Sequence, residues 1–237
     1  MFMNKVFALI SKELKTYFKS PIAYLVLIVT VSVFNVFFYM IIDENREATL
    51  RDVFKLMEFL YVFFVPILTM RIFAEENQTG TIEFLLTTPT TIKQLIVGKY
   101  LGSLVFVSLT VVLTFPYYVI IEHFASPDRW EVFWGFVGIF LEVALFVAIG
   151  ILTSSCTRGQ IVAAISSYVL IFALYFSFSF IKYVQGPVEH FIRVFSTMPH
   201  LENFSVGFFS LADFIYYLSG VWFCLFLTKL ILENGRK

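Results

Sequence analysis

Charged residues fall in clusters along this chain, and the uncharged runs between the clusters are long enough to cross a bilayer. A transmembrane helix needs about 20 mostly apolar residues to span about 30 Å of hydrocarbon. Residues 20–42, 100–121 and 159–181 carry no charged side chain over 23, 22 and 23 positions. Three further runs are less clean. Residues 59–70 are uncharged over only 12 positions, and they extend to about 54–73 if Lys55, Glu58 and Arg71 reach the interfaces, where long side chains snorkel. The run at about 132–152 is interrupted by Glu142, and that at about 214–232 carries Lys229 in its last turn. The pattern predicts an all-α integral membrane protein, a single transmembrane domain over 1–237. Its six spans are expected at about 22–42, 54–73, 100–121, 132–152, 161–181 and 214–232.

The segments between the spans have patterns of their own. In residues 2–19, Met3, Val6, Phe7, Ile10, Leu14, Tyr17 and Phe18 share one face at helical spacing, and Lys5, Lys12, Lys15 and Lys19 gather on the other. That is the signature of an interfacial helix lying in the membrane plane, ended by Pro21. Residues 74–98 are too polar to span and too apolar for a plain linker. Gly80 permits a turn there, Ile82, Leu85 and Leu86 form one face of a short helix with Glu83 opposite, and Thr88-Pro89 resembles an N-cap with a first-turn proline. Such an element, polar above and apolar below, suits docking to a cytosolic partner. Residues 183–213 hold Phe191, Val194, Phe195, Phe204, Phe208 and Phe209, too aromatic for a solvated loop. Short re-entrant or interfacial helices are expected there, entered at Gly186-Pro187 and broken near Pro199.

Composition agrees with this picture. Hydrophobic residues make up 59% of the chain, charged residues 14%, and mean hydropathy is +0.85, against about a quarter charged in soluble domains. Net charge is zero, and no nucleic-acid partner is expected. With the N-terminus inside, the cytoplasmic segments hold 11 of the 17 Lys and Arg residues and the outer segments 6. Both termini are therefore expected in the cytoplasm. The N-terminal run is too long for a cleaved signal and reads as an uncleaved anchor. Cys156 and Cys224 read as small apolar side chains.

Little catalytic chemistry is visible. Gly98-Lys99 lacks the upstream glycine and the Ser or Thr of a phosphate loop, so the chain is not expected to power itself with ATP. No protease, nucleophile-elbow or cofactor motif occurs. His123, His190 and His200 are dispersed, with His190 and His200 only a minor metal candidate. Glu142 is the one acid well inside a span; a carboxyl there should face the bundle or a dimer seam, hydrogen-bonded or protonated. A structural bond to Ser, Thr or Tyr is favoured over a place in a substrate path. Pro66 and Pro116 each remove one helical hydrogen bond and are candidate hinges, with plain kinks the more ordinary reading.

The run Thr69-Met-Arg-Ile-Phe-Ala-Glu-Glu-Asn-Gln-Thr-Gly-Thr-Ile-Glu-Phe-Leu-Leu-Thr-Thr-Pro, closed by Gly98-Lys99, resembles the signature loop of type-2 ABC-exporter (ABC-2-type) permeases. The likeness is closest to the group of the gliding-motility and nitrous-oxide-reductase-maturation permeases. Residues 148–163 resemble that family's turn between spans four and five. Met198-Pro-His-Leu-Glu-Asn, with Asp213-Phe-Ile-Tyr-Tyr-Leu, resembles the outer loop entering span six. The resemblance implies a non-catalytic, six-helix half-transporter of the bacterial cytoplasmic (inner) membrane. Its implied partners are a second permease chain, identical or related, and cytosolic ABC ATPase subunits. It further implies a coupling helix formed by Glu75, Glu76, Gly80, Thr81, Glu83, Leu85, Leu86 and Pro89. Asn77-Gln78 departs from the basic residues many members carry, which puts one ionic contact with the ATPase in doubt. Two alternatives stay open: a membrane anchor or mechanotransmitter working with an ABC ATPase without cargo, and a partner-free secondary transporter. The latter predicts internal repeats and several polar groups at mid-membrane.

Overall fold

Helix punctuation in the sequence sets most element boundaries of the computed structural model, which describes residues 2–45, 50–81, 90–124 and 126–234. Helix α1 spans Phe2–Lys19 and α2 spans Pro21–Asn45. Pro21 suits the first position of α2, where a missing N–H costs nothing. Helices α3 (Arg51–Thr69) and α4 (Ala74–Thr79) follow, separated by one tight turn, and Gly80 closes α4 at φ +70°. Helix α5 (Ile92–Leu113) is started by a capping box: Gln94 N–H donates to the Thr91 hydroxyl, and Thr91 N–H donates to the Gln94 side chain. That pairing satisfies two of the N–H groups a helix start leaves open.

The chain continues through α6 (Phe115–Phe124), α7 (Arg129–Cys156) and α8 (Gln160–Phe176), then a 3-10 turn over Ser177–Tyr183. Helices α9 (Pro187–Phe195), α10 (Thr197–Ser205) and α11 (Leu211–Asn234) complete it, with no strand among the described residues. Six helical stretches are long and apolar enough to cross a membrane: Pro21–Asp43, Arg51–Thr79, Ile92–His123, Arg129–Cys156, Gln160–Tyr183 and Leu211–Asn234.

Two boundaries differ from the sequence expectation. The helix entering the third span is capped by Thr91, downstream of the expected Thr88-Pro89, which lies outside the described residues. It also starts well before residue 100, so Lys93 and Lys99 are helical. In the aromatic segment the chain enters α9 at Gly186-Pro187 as expected, with Gly186 at φ +77°. The break, however, falls at the extended Ser196, not at Pro199. Pro199 sits in the first turn of α10, where its lack of an N–H breaks no helical bond.

Helix α7 is the central post. Of its most apolar window 78% is buried, against 22% for the windows of α2 and α11. Those two therefore stand at the periphery with apolar side chains such as Leu25, Ile28, Trp222 and Phe223 outward, as a lipid-facing helix requires. Close approach to the post depends on Gly150, where an added Cβ would lie 2.0 Å from Thr69 Oγ1 of α3. Helix α1 lies along α5 for a similar reason: added Cβ atoms at Gly98 and Gly102 would meet Leu9 Cβ at 2.6 Å and Glu13 Cβ at 2.7 Å.

Gly150→Leu is expected to separate α3 from α7 and cost about 1–3 kcal/mol of stability, the usual penalty for overpacking. Gly159→Ala, whose new Cβ finds nothing closer than 3.8 Å, should be neutral. Thermal unfolding of the two variants in detergent checks this; equal midpoints would contradict the packing assignment.

Candidate functional site

The turn between α3 and α4 carries a dense polar cluster built around one lysine. Lys99 lies in α5 with its side chain only 3% exposed. Its ammonium has three N–H donors and no acceptor, and all three are used. Nζ donates to Glu13 Oε1 of α1 at 3.1 Å, to Glu76 Oε1 of α4 at 2.8 Å and to the Ile72 carbonyl of the turn at 2.9 Å. It also stands over the Phe73 ring, 5.0 Å from the centroid. A buried charge is tolerated when it is paired and hydrogen-bonded in this way.

Two further contacts close the joint. The Arg71 guanidinium donates to Ser20 Oγ at 2.7 Å and covers the Tyr17 ring at 5.1 Å, so the α1–α2 junction is gripped from the turn. Tyr17 donates to the Leu68 carbonyl at 3.1 Å and lies 3.2 Å from Ser103 Oγ. Burial pushes its hydroxyl up to about 12, so it remains a donor at neutral pH. Arg71, Glu75, Glu76 and Lys99 line a cavity of about 200 Å³ between α1 and α4, with Lys12 and Thr81 at its border. Within it, Arg71 Nη2 and Glu76 Oε2 are buried without a hydrogen-bond partner.

From the other side the turn is held by α7. Ser154 Oγ accepts from the N–H groups of Phe73 and Ala74, both at 2.9 Å, and donates to the Met70 carbonyl at 3.0 Å. Asn77 Nδ2 donates to the carbonyls of Ser155 at 3.3 Å and Thr157 at 2.9 Å, satisfying acceptors that the end of α7 leaves open. The stretch 148–163 thus meets the stretch 69–81 directly. Position 77, flagged in the sequence for lacking a basic residue, serves as an internal clamp.

Of the residues singled out beforehand, Glu75, Glu76, Gly80 and Thr81 lie together on or beside α4, with Glu75, Gly80 and Thr81 exposed. Glu83, Leu85, Leu86 and Pro89 lie outside the described residues. Pro66 sits inside an unbroken α3, whereas Pro116 follows a break at Thr114, which separates α5 from α6. Glu13, Asn77, Lys99 and Ser154 were not singled out for these roles. In the sequence Lys99 closes the signature-loop run and fails to complete a phosphate loop; a basic residue followed by 22 uncharged ones reads as the end of a span.

The opposite end of the bundle is organised by acids. Asp213 of α11 accepts from Asn203 Nδ2 at 2.7 Å and contacts His200 Nδ1 at 2.6 Å, while His200 Nε2 faces the Val194 carbonyl at 3.1 Å. Tyr216 stacks on His200 with centroids 4.0 Å apart. His200 is therefore a structural joint between α10 and α11.

Glu142 is fully buried inside the bundle. Neither of its carboxyl oxygens makes a hydrogen bond of ordinary geometry, and it stands against Glu58 of α3 and the Thr197 hydroxyl. Glu58 is 2% exposed and accepts a 3.4 Å hydrogen bond from Thr197. The nearby hydroxyls are engaged elsewhere: Tyr61 with Thr110, Tyr216 with the Phe195 carbonyl and Tyr217 with the Thr197 carbonyl.

Comparison with known proteins adds one positive finding. The sequence model of a family described as "ABC-2 family transporter protein" matches residues 2–205. No individual curated protein matches the chain.

Lys99→Met should leave Glu13 and Glu76 buried without their cation and cost about 3–5 kcal/mol. Glu13→Gln keeps an acceptor for Nζ and should cost only about 1–2 kcal/mol. Denaturant unfolding in detergent measures both. Near-wild-type stability of Lys99→Met would show that the cluster does not hold the joint.

Proposed function

Because the chain belongs to the ABC-2 transporter family, we propose that it is the transmembrane (permease) subunit of an ATP-binding-cassette transporter, driven by a separate cytosolic ATPase. The observation that carries this reading is α4. Its outer side presents Glu75, Gln78 and Thr79, followed by Gly80 and Thr81, to solvent. Its inner side is bound through Glu76 and Lys99 to α1 and α5, and through Asn77 to α7. A push on α4 therefore reaches three other helices through hydrogen bonds, without an intervening flexible link. In this reading α4 opens the coupling segment that continues through Glu83, Leu85, Leu86 and Pro89, and it seats in a cleft of the ATPase.

The same reading sets the orientation. Helix α1 lies in the cytoplasmic headgroup layer of the bacterial inner membrane, its lysines toward anionic lipid, and both termini are cytoplasmic. The aromatic helices α9 and α10 then lie at the outer interface. The permease works as a dimer with a second copy or a related chain, and its sequence runs resemble those of the gliding-motility and nitrous-oxide-reductase-maturation group. A partner-free carrier has less support, since nothing in its mechanism calls for an exposed polar helix anchored to three others.

The test is recovery of a P-loop ATPase with tagged protein from detergent-solubilised membranes. Two variants are compared with the natural chain: Glu75→Arg, which reverses an exposed charge, and Gly80→Pro, which is incompatible with φ +70°. The natural chain should retain an ATPase and each variant should lose it roughly tenfold, equivalent to about 1.4 kcal/mol of binding. If a folded, membrane-inserted protein brings down no ATPase, or both variants bind as well as the natural chain, the coupling assignment fails.

A further inference from the structure

The cluster of Glu58, Glu142 and Thr197 is left unexplained by ATPase coupling, because it lies at the far end of the bundle from α4. Three elements meet there: α3 supplies Glu58, α7 supplies Glu142 and α10 supplies Thr197. All three residues are at most 2% exposed. Buried polar groups in native proteins are nearly always paired, and a carboxyl deep in a membrane protein marks a functional site unless a partner is evident. Among the described residues the hydroxyl beside the pair is that of Thr197, which donates to Glu58 at 3.4 Å; the two carboxyls face each other, and neither Glu142 oxygen has a hydrogen bond of ordinary geometry.

Two facing carboxylates in a buried site cannot both stay bare, since each charge opposes the other and neither is hydrated. A single positive charge between them relieves both. The surroundings do not supply it as a fixed side chain. Lys55, the cation that acts on Glu58, is exposed, and Glu202 adds further negative charge. The other titratable groups facing the pair are phenols: Tyr61 from α3, Tyr175 from α8, and Tyr216 and Tyr217 from α11. Asp213, the remaining acid nearby on α11, is committed to His200 and Asn203.

Glu58, one member of the pair, borders a cavity. A cavity of about 280 Å³ is lined by Lys55, Glu58, Glu202 and Ser205, with Leu201 and Met198 on its walls. Glu58 thus borders a cavity whose lining includes exposed charged residues, and Glu142 stands behind it.

We propose that Glu58 and Glu142, with the Thr197 hydroxyl beside them, form a binding site for one small cation, a proton or a sodium-sized ion, loaded through this cavity. Carboxylate and hydroxyl oxygens are the donor set that hard cations prefer, and the same oxygens accept a proton. Loading removes the repulsion between α3 and α7, and unloading restores it, so occupancy governs how tightly α3, α7 and α10 close that end of the bundle. The site depends neither on the ATPase reading nor on the orientation of the chain in the membrane.

The test is labelling of the full chain in lipid nanodiscs with dicyclohexylcarbodiimide, which adds only to a protonated carboxyl, followed by peptide mass spectrometry. An adduct is expected on Glu58 or Glu142. Its rate should fall about tenfold per pH unit once the proton is released. If sodium is the ligand, sodium chloride protects against labelling at fixed pH while choline chloride does not; if the proton is the ligand, the two salts act alike. In Glu142→Gln and Glu58→Gln, the remaining carboxyl should lose any sodium protection. Absence of an adduct on both residues at every pH from mildly acidic to mildly alkaline would overturn the proposal. So would an adduct whose rate responds to neither pH nor sodium, which is the behaviour of a permanently protonated structural pair.

Discussion

The Lys99 ammonium is the point on which this architecture turns. One nitrogen joins four pieces of chain: its own helix α5, Glu13 of α1, the Ile72 carbonyl of the α3–α4 turn and Glu76 of α4. Each bond satisfies a donor that burial would otherwise leave costly. The arrangement also depends on Gly102, because a larger side chain there would push Glu13 away. An apolar contact of the same area would hold α1 against α5 about as strongly, and burying ion pairs is not in itself a route to stability. The ion cluster adds direction. Apolar surfaces can slide by part of a turn at little cost, whereas three hydrogen bonds to one nitrogen fix α1, α4 and α5 in register.

The second constraint is the post, α7. Ser154 fills the turn between α3 and α4 with three hydrogen bonds, and Gly150, about one helical turn earlier, lets α3 close enough for this to happen. Asn77 completes the arrangement from the other direction. Helix α4 is short, and an isolated helix of that length is not stable in water. Its order comes from Lys99 on one side and α7 on the other, which explains how a six-residue helix stands at the surface with a defined outer face.

The fold was legible in the sequence where apolar runs were free of charge. Spans one, three and five needed no tertiary information. Legibility failed where a charge was compensated by a residue far away in the chain. Lys99 looked like the end of a span because Glu13, 86 residues earlier, and Glu76, 23 residues earlier, were invisible as partners. The burial of Glu58 was unreadable for the same reason: its neighbours Glu142 and Thr197 lie on other helices. The break at Ser196 was missed because proline is a strong local signal, and its harmlessness in a first turn depends on where the helix begins. The polar character of 75–79 and the turn at Gly80 could be read from the sequence alone. The contacts that make α4 more than a loop, at Asn77 and Ser154, involve common residues whose roles exist only in three dimensions.

The two ends of the bundle use buried charge in opposite ways. At the α4 end the ammonium has as many acceptors as it has protons, so its own bonds are complete, although Glu76 Oε2 and Arg71 Nη2 beside it have no partner. At the far end two carboxyls face each other with too few donors, so the cluster is incomplete and its energy depends on what it holds. Helix α3 belongs to both, with Glu58 near its start and the Met70–Phe73 turn at its finish. One continuous helix of 19 residues therefore joins the turn held by Lys99 to the element that carries Glu58.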